Sequence, residues 1–80
     1  MKVSVIYADI HQQVWLDTEV EPEATLLNAI STCGILRLFP EIDLHQQKVG
    51  VFGKIRSLDS HVDEGDRVEI YRAVTIIDEE

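Results

Sequence analysis

Hydrophobic and polar residues alternate along two stretches near the start of the chain, from Lys2 to Ala8 and from Gln12 to Val20. Alternation is typical of β-strands, because successive side chains of a strand point to opposite faces of the sheet. The residues assigned to the buried face are Val3, Val5, Tyr7, Val14, Leu16, Thr18 and Val20. The short interruption between the two stretches predicts an antiparallel hairpin with one buried side.

A helical pattern follows the hairpin. Pro22 ends the second strand, since proline has no amide proton for a ladder, and Thr25 is a suitable helix N-cap. Gly34 can take the left-handed conformation that ends a helix. Between them lies one apolar stripe at helical spacing, formed by Leu26, Ala29, Ile30 and Cys33. This pattern predicts a helix of about 8–9 residues with one face against the sheet.

The second half of the chain is less regular but still predicts two strands. Residues 35–44 are expected to form a turn or a short helical segment that wraps the end of the sheet. Residues 48–52 form a brief strand, followed by a turn at Gly53-Lys54. Glu64-Gly65-Asp66 supplies a second turn, and residues 67–72 form a final alternating strand with its own buried face.

The predicted order is therefore strand, strand, helix, strand, strand. A hairpin, a crossover helix and a last strand that returns beside the first is the simplest arrangement with a right-handed crossover. The fold class is α+β: a β-grasp (ubiquitin-like) ββαββ mixed sheet with one helix packed across one face. The 80 residues have room for a single domain, 1–80, in which residues 73–80 are expected to be a tail or an extra edge segment.

The charge balance narrows the range of partners. The chain has 15 acidic and 7 basic residues, a net charge of −8. This excess argues against nucleic acid and anionic membranes, which require clustered lysine and arginine, and it favours solubility and a basic protein partner. No apolar run reaches the ~20 residues of a membrane span, and the N-terminal stretch does not have the pattern of a signal peptide. We therefore expect a cytoplasmic protein that does not insert directly into a membrane.

The residues most often used in catalysis and metal binding are sparse. Cys33 is the only cysteine, which excludes an intramolecular disulfide and an iron–sulfur cluster held by four thiolates. Its place on the apolar stripe predicts a buried structural thiol. The three histidines, His11, His45 and His61, lie in separate loop-like segments without the spacing of metal ligands. We expect no catalytic residue, no metal site and no cofactor, and hence a protein that is not an enzyme.

Four segments carry a resemblance to a known family: residues 39–44 (FPEIDL), 49–54 (VGVFGK), 58–59 (LD) and 65–72 (GDRVEIYR). With this combination, the chain resembles the RnfH family of small bacterial ubiquitin-like proteins over nearly its whole length. The resemblance implies a β-grasp fold in a bacterial cytoplasmic protein. The family name reflects a genetic association with the Rnf electron-transport system, and other members lie near a toxin–antitoxin-type partner gene.

The sheet face opposite the helix is the candidate partner-binding face. If the apolar faces of the strands point to the helix, an aromatic and aliphatic cluster edged by arginine points to solvent, a composition typical of interaction hot spots. The candidate residues are Ile6, Trp15, Phe52, Arg67, Tyr71 and Arg72. Two alternatives remain open: Trp15 only covers the sheet, or the segment from Val74 to Ile77 folds over it.

Three functional hypotheses follow. The favoured one is a non-catalytic protein–protein interaction module, or a small regulator of a protein complex. A ubiquitin-like or sulfur-carrier protein is disfavoured, because that chemistry needs a thin C-terminal Gly-Gly and this sequence ends in residues 76–80, IIDEE. The third is one component of a toxin–antitoxin-like pair. The oligomeric state is left open.

Overall fold

The computed structural model describes residues 1–8 and 13–71, which form a five-stranded mixed sheet with the longer of two short helices against it. The elements in chain order are β1 (Lys2–Ala8), β2 (Gln13–Glu19), α1 (Leu26–Cys33), α2 (Ile35–Leu38), β3 (Val49–Val51), β4 (Lys54–Arg56) and β5 (Arg67–Ile70). The strand order across the sheet is β2-β1-β5-β3-β4. The last long strand therefore lies beside the first, as the sequence predicts.

The pairing of the strands agrees with the alternation along the chain. β1 pairs antiparallel with β2 and parallel with β5, so that Val5 lies in register with Leu16 on one side and Val68 on the other. Because these three residues occupy one row across three strands, their side chains point to the same face. That row faces α1, and Val5 and Val68 are completely buried.

Local signals at both ends determine the extent of α1. The side-chain oxygen of Thr25 accepts a hydrogen bond from the amide of Asn28 at 3.2 Å, and the side chain of Asn28 accepts from the amide of Thr25 at 2.9 Å. This reciprocal pair is a capping box, which satisfies amide groups that a helix start leaves unbonded. Gly34 ends the helix in the left-handed conformation, with φ of 84°. Both predicted helix ends are confirmed.

The core lies between α1 and the sheet. Leu26, Ala29 and Ile30 have no exposed surface, and they belong to one cluster with the inward residues of the central strands. Burial of each large aliphatic side chain contributes about 1.5–3 kcal/mol. The largest fully buried side chains are Leu26, Ile30, Ile35, Ile70, Val3, Val5, Val62 and Val68.

The structure adds a strand that the sequence analysis does not predict. Residues 54–56 form β4, which pairs antiparallel with β3. The turn between them is Phe52-Gly53, one residue earlier than predicted, and both residues have positive φ, 51° and 81°. Two positive φ values are the geometry of the tight type I′ hairpin turn, which usually holds asparagine or glycine at its first position. Phenylalanine is atypical at that position, so the sequence pattern does not indicate the turn. The predictions of four strands and of a Gly53-Lys54 turn were therefore wrong.

The segment after α1 contains a second short helix, α2, followed by irregular chain, consistent with the expected turn or short helical segment. Phe39 packs edge-to-face on Tyr7, with ring centroids 5.2 Å apart. Gln47 is buried, accepts a hydrogen bond from the amide of Asp43 at 2.7 Å and donates one to the carbonyl of Tyr71 at 3.1 Å. This side chain ties the segment to the end of β5.

Three predictions lie outside the described residues: the hairpin loop with His11, the role of Arg72, and the tail or edge segment at residues 73–80. Within residues 1–8 and 13–71, no helix is long and apolar enough to cross a membrane.

Replacement of Gly50 by alanine tests the close approach of β4 to β3. A Cβ at this position would overlap the backbone carbonyl of Lys54 and lie 2.9 Å from the hydroxyl of Tyr71. We expect Gly50→Ala to lower the free energy of unfolding by about 1–3 kcal/mol, because the hairpin must open to admit the methyl group. Urea unfolding measures the change.

The matched control is Ile55→Ala at the cross-strand partner of Gly50. Ile55 is 64% exposed, so its truncation should change stability by no more than about 0.5 kcal/mol. Equal stability of Gly50→Ala and the parent chain would contradict the described hairpin.

Candidate partner-binding surface

The outer face of the sheet, defined as the face opposite α1, carries an arginine in contact with two exposed aromatic rings. The guanidinium carbon of Arg67 lies 5.6 Å from the ring centroid of Trp15 and 5.3 Å from that of Phe52. Both distances are within the range of a cation–π interaction. Trp15 is 56% exposed and Phe52 is 53% exposed. The predicted exposure of these two side chains is confirmed.

The register of the sheet places these three side chains on one face. Ser4 in β1 pairs with Asp17 of β2 and with Arg67 of β5. The amide of Phe52 donates to the carbonyl of Arg67 at 3.3 Å, which brings the β3–β4 turn beside the start of β5. Trp15 lies two residues from Asp17 on the same face of β2. Backbone pairing therefore brings residues from three separate parts of the chain to one face.

Asp17 orients the tryptophan. One carboxylate oxygen of Asp17 accepts hydrogen bonds from the hydroxyl of Ser4 at 2.8 Å and from the indole nitrogen of Trp15 at 3.0 Å. These two bonds, the Ser4 bond first, lower the pKa of Asp17 below its usual value, because they stabilise the charged carboxylate. The hydrogen bond thus fixes the indole while more than half of the residue stays exposed.

Glu69 has the same role at the other side of the face. Its Oε1 accepts a hydrogen bond from the amide of Gly53 at 2.8 Å and another from the hydroxyl of Tyr71 at 2.9 Å. The first bond fixes the turn that presents Phe52. Burial, and then the bond to Glu69, raise the pKa of Tyr71. Tyr71 is half-buried, and its hydroxyl lies over Gly50.

Ile6 is on the outer face as predicted, but the expectation that it points to solvent was wrong. It is only 6% exposed, although it lies outside the main core cluster. Ile6 sits in a central strand, and the register places it directly between Trp15 and Glu69. The long side chains of cross-strand neighbours on both sides cover a residue in such a position. Ile6 therefore supports the surface from beneath.

Ile55 is an exposed hydrophobic residue of this face that the sequence analysis missed. It pairs with Gly50, which in turn pairs with Glu69, so its side chain belongs to the outer face. At 64% exposure it is the most exposed of the large hydrophobic residues in the described chain. The signal that could have found it is the alternation of Lys54, Ile55 and Arg56 after a tight turn.

A depression of about 170 Å³ lies beside this cluster. Its lining residues are Ile6, Ala8, Gln13, Glu69, Ile70 and Tyr71. The volume is comparable to that of a single large side chain. A larger groove of about 410 Å³ lies between the end of β2 and α1, and its lining lacks aromatic and basic side chains.

The other candidate residues form no chemical site in the described part of the chain. Cys33 is half-buried, its thiol donates to the carbonyl of Ile30 at 3.2 Å, and burial raises its pKa. A raised pKa keeps a thiol protonated and unreactive. His45 and His61 are exposed and lie in separate segments. No three histidine, cysteine, aspartate or glutamate side chains within residues 1–8 and 13–71 could hold a metal ion.

The hairpin, crossover helix and parallel central pair define a ubiquitin-like β-grasp domain with an aromatic and arginine cluster on its outer face. The family described as RnfH family ubiquitin matches residues 1–79. The chain therefore belongs to the RnfH family.

Two relatives illustrate the similarity. Protein RnfH of Methylococcus capsulatus is 55% identical over 75 residues, which cover 94% of this chain and 79% of that protein. Protein RnfH of Azotobacter vinelandii is 49% identical over 79 residues, which cover 99% of this chain and 92% of that protein.

Among solved structures, small archaeal modifier protein 1 of Haloferax volcanii has a similar fold. The TM-score is 0.70, and the match covers 91% of this chain and 98% of the archaeal protein. The sequence identity is 14%, so the similarity concerns the fold alone.

The bonded state of Asp17 predicts how Trp15 responds to pH. Trp15 is the only tryptophan, so intrinsic fluorescence reports on it alone. The lowered pKa means that Asp17 stabilises the fold fully above its unfolded-state pKa, and that this contribution is lost as pH falls through the folded pKa. We expect the fluorescence to change below the usual aspartate range, as protonation releases the indole.

Asp17→Asn is the matched control, because it keeps one oxygen acceptor and removes the titration. The fluorescence of this variant should lack the low-pH transition while the circular dichroism is unchanged. A transition of the parent chain at or above the usual aspartate pKa would contradict the described bonds.

Proposed function

We propose that this RnfH-family chain is a non-catalytic interaction module whose outer sheet face binds a protein partner in the bacterial cytoplasm. The observation that carries the proposal is the cluster of Trp15, Arg67 and Phe52. Tryptophan and arginine are the residues most enriched among those that dominate binding energy, and here they are exposed together.

The rigidity of the cluster supports the proposal. Exposed aromatic side chains that only cover a sheet do not need fixed orientations. Here Asp17 holds Trp15, and Glu69 holds the turn that carries Phe52. A surface that is ordered before binding loses less conformational entropy when the partner arrives.

The positive charge of Arg67 favours a partner that presents a hydrogen-bond acceptor to it. Its guanidinium stacks on two rings and makes no ion pair with a described carboxylate. A stacked arginine keeps its hydrogen-bond donors free along its edge, where a carboxylate or a carbonyl can bind. We propose that a partner places such an acceptor at Arg67 and an apolar side chain in the adjacent depression.

The proposal also includes the biological context that the family resemblance implies. An association with Rnf electron transport and a place in a toxin–antitoxin-like pair are both compatible with an interaction module. The similarity to an archaeal modifier concerns the fold alone, so it does not favour a carrier function.

Affinity purification with matched surface variants tests the proposal. The tagged full-length chain is expressed in a bacterium that encodes it, and co-purifying proteins are quantified by mass spectrometry. We expect Trp15→Ala and Phe52→Ala each to reduce the recovery of the same partner by about tenfold or more, because each removes a central anchor.

Leu38→Ala is the control, because Leu38 is 61% exposed but lies on α2, away from the outer face. It should leave recovery unchanged. Retention of every partner by the Trp15 and Phe52 variants, with their folding intact, would overturn the proposal.

A further inference from the structure

The strand β3 divides its backbone hydrogen bonds between its two neighbours. The amide of Phe52 donates to Arg67 at 3.3 Å, and the amide of Tyr71 donates to Lys48 at 2.8 Å. Bonded and non-bonded pairs alternate along an antiparallel ladder. Gly50 lies midway between these two bonds, so its own N–H and C=O are also directed to β5.

Gly50 therefore directs no backbone polar group to β4, the strand on its other side. Its partner in β4 is Ile55. Because Gly50 directs its polar groups to β5, the Gly50–Ile55 pair is a non-bonded pair, and the N–H and C=O of Ile55 point away from β3. β4 is the last strand of the described sheet, so both groups face outward from its edge.

The side chains of β4 have an unusual charge for this protein. The chain has a net charge of −8, yet β4 carries Lys54 and Arg56 with no acidic residue. All three of its residues are exposed. Alternation places Ile55 on the outer face and both cations on the opposite face. An incoming strand would therefore meet one apolar side chain on one face and two positive charges on the other.

We propose that β4 accepts an extended acidic segment of a partner protein as a sixth strand of the sheet. The N–H and C=O of Ile55 form the central pair of backbone hydrogen bonds. Aspartate or glutamate residues of the segment lie opposite Lys54 and Arg56, and an apolar residue lies opposite Ile55. This inference goes beyond the proposed function, since it uses the sheet edge rather than the aromatic cluster.

A second copy of the chain is a poorer occupant of this edge. Antiparallel pairing of two β4 strands around Ile55 would place Lys54 of one copy opposite Arg56 of the other, and like charges in direct cross-strand pairs are destabilising. Pairing of β4 with β2 of another copy would be head-to-tail, so it would build a ring or a filament of many copies rather than a closed dimer. Two chains of net charge −8 also repel one another.

Titration of the isotope-labelled full chain with a synthetic peptide tests the proposal by nuclear magnetic resonance. The probe is the capped peptide Glu-Val-Glu-Val-Glu-Val-Glu, and the matched control peptide has lysine in place of every glutamate. We expect the glutamate peptide to shift the amide signals of β4 and to slow hydrogen exchange of the Ile55 amide. The lysine peptide should bind at least about tenfold more weakly.

Two sets of variants locate the contact. Ile55→Pro removes the outward amide proton without removing a bond to β3, so it should weaken peptide binding about tenfold or more. Ile55→Thr is its control, because it keeps the amide and a β-branched side chain, and it should bind like the parent. If the proline variant does not fold, the exposed double variant Lys54→Glu and Arg56→Glu provides the test, with the same expected loss.

Trp15→Ala separates this inference from the proposed function, because it should leave peptide binding unchanged. Three outcomes would overturn the inference. Shifts centred on Trp15 would place the peptide on the outer face. Equal affinity for the two peptides would show that Lys54 and Arg56 do not select an acidic segment. An Ile55 amide already protected in the free chain would mean that the chain itself occupies the edge.

Discussion

The parallel pairing of β1 with β5 is the contact on which the rest of the structure depends. It joins two hairpins that are far apart in the chain, and it is the one parallel pair in the described sheet. On the helix side it aligns Val5 with Val68 in the core, and on the outer side it aligns Ser4 with Arg67. A shift of one residue would exchange the two faces, so the core and the candidate binding surface are specified together.

Two carboxylates complete the outer face in this acidic chain. Asp17 joins β1 to the indole of Trp15, and Glu69 joins β5 to the turn at Gly53. Each accepts two hydrogen bonds from donors of the protein itself. The aromatic side chains are consequently positioned by strand backbones and charged acceptors rather than by burial. That combination keeps hydrophobic surface both exposed and ordered.

The sequence predicted those parts of the fold that have a long, regular period. The alternation of β1, β2 and β5 and the apolar stripe of α1 required only local spacing, and the helix ends followed from Thr25 and Gly34. β4 was missed because it has three residues and follows a turn with phenylalanine at positive φ. The exposure of Ile6 was misjudged because burial depends on cross-strand neighbours. The link from Gln47 to β5 spans 24 residues and leaves no local pattern.

Backbone register and two carboxylates assemble the Trp15, Arg67 and Phe52 cluster in the free chain, before any partner binds. The most direct measurement is the chemical shift of the Arg67 side-chain protons in the free chain, since aromatic rings shift protons that lie over their faces. We expect upfield shifts relative to an unstructured arginine, reduced in part by Trp15→Leu and in part by Phe52→Leu. Shifts of an unstructured arginine in the free, folded chain would contradict it.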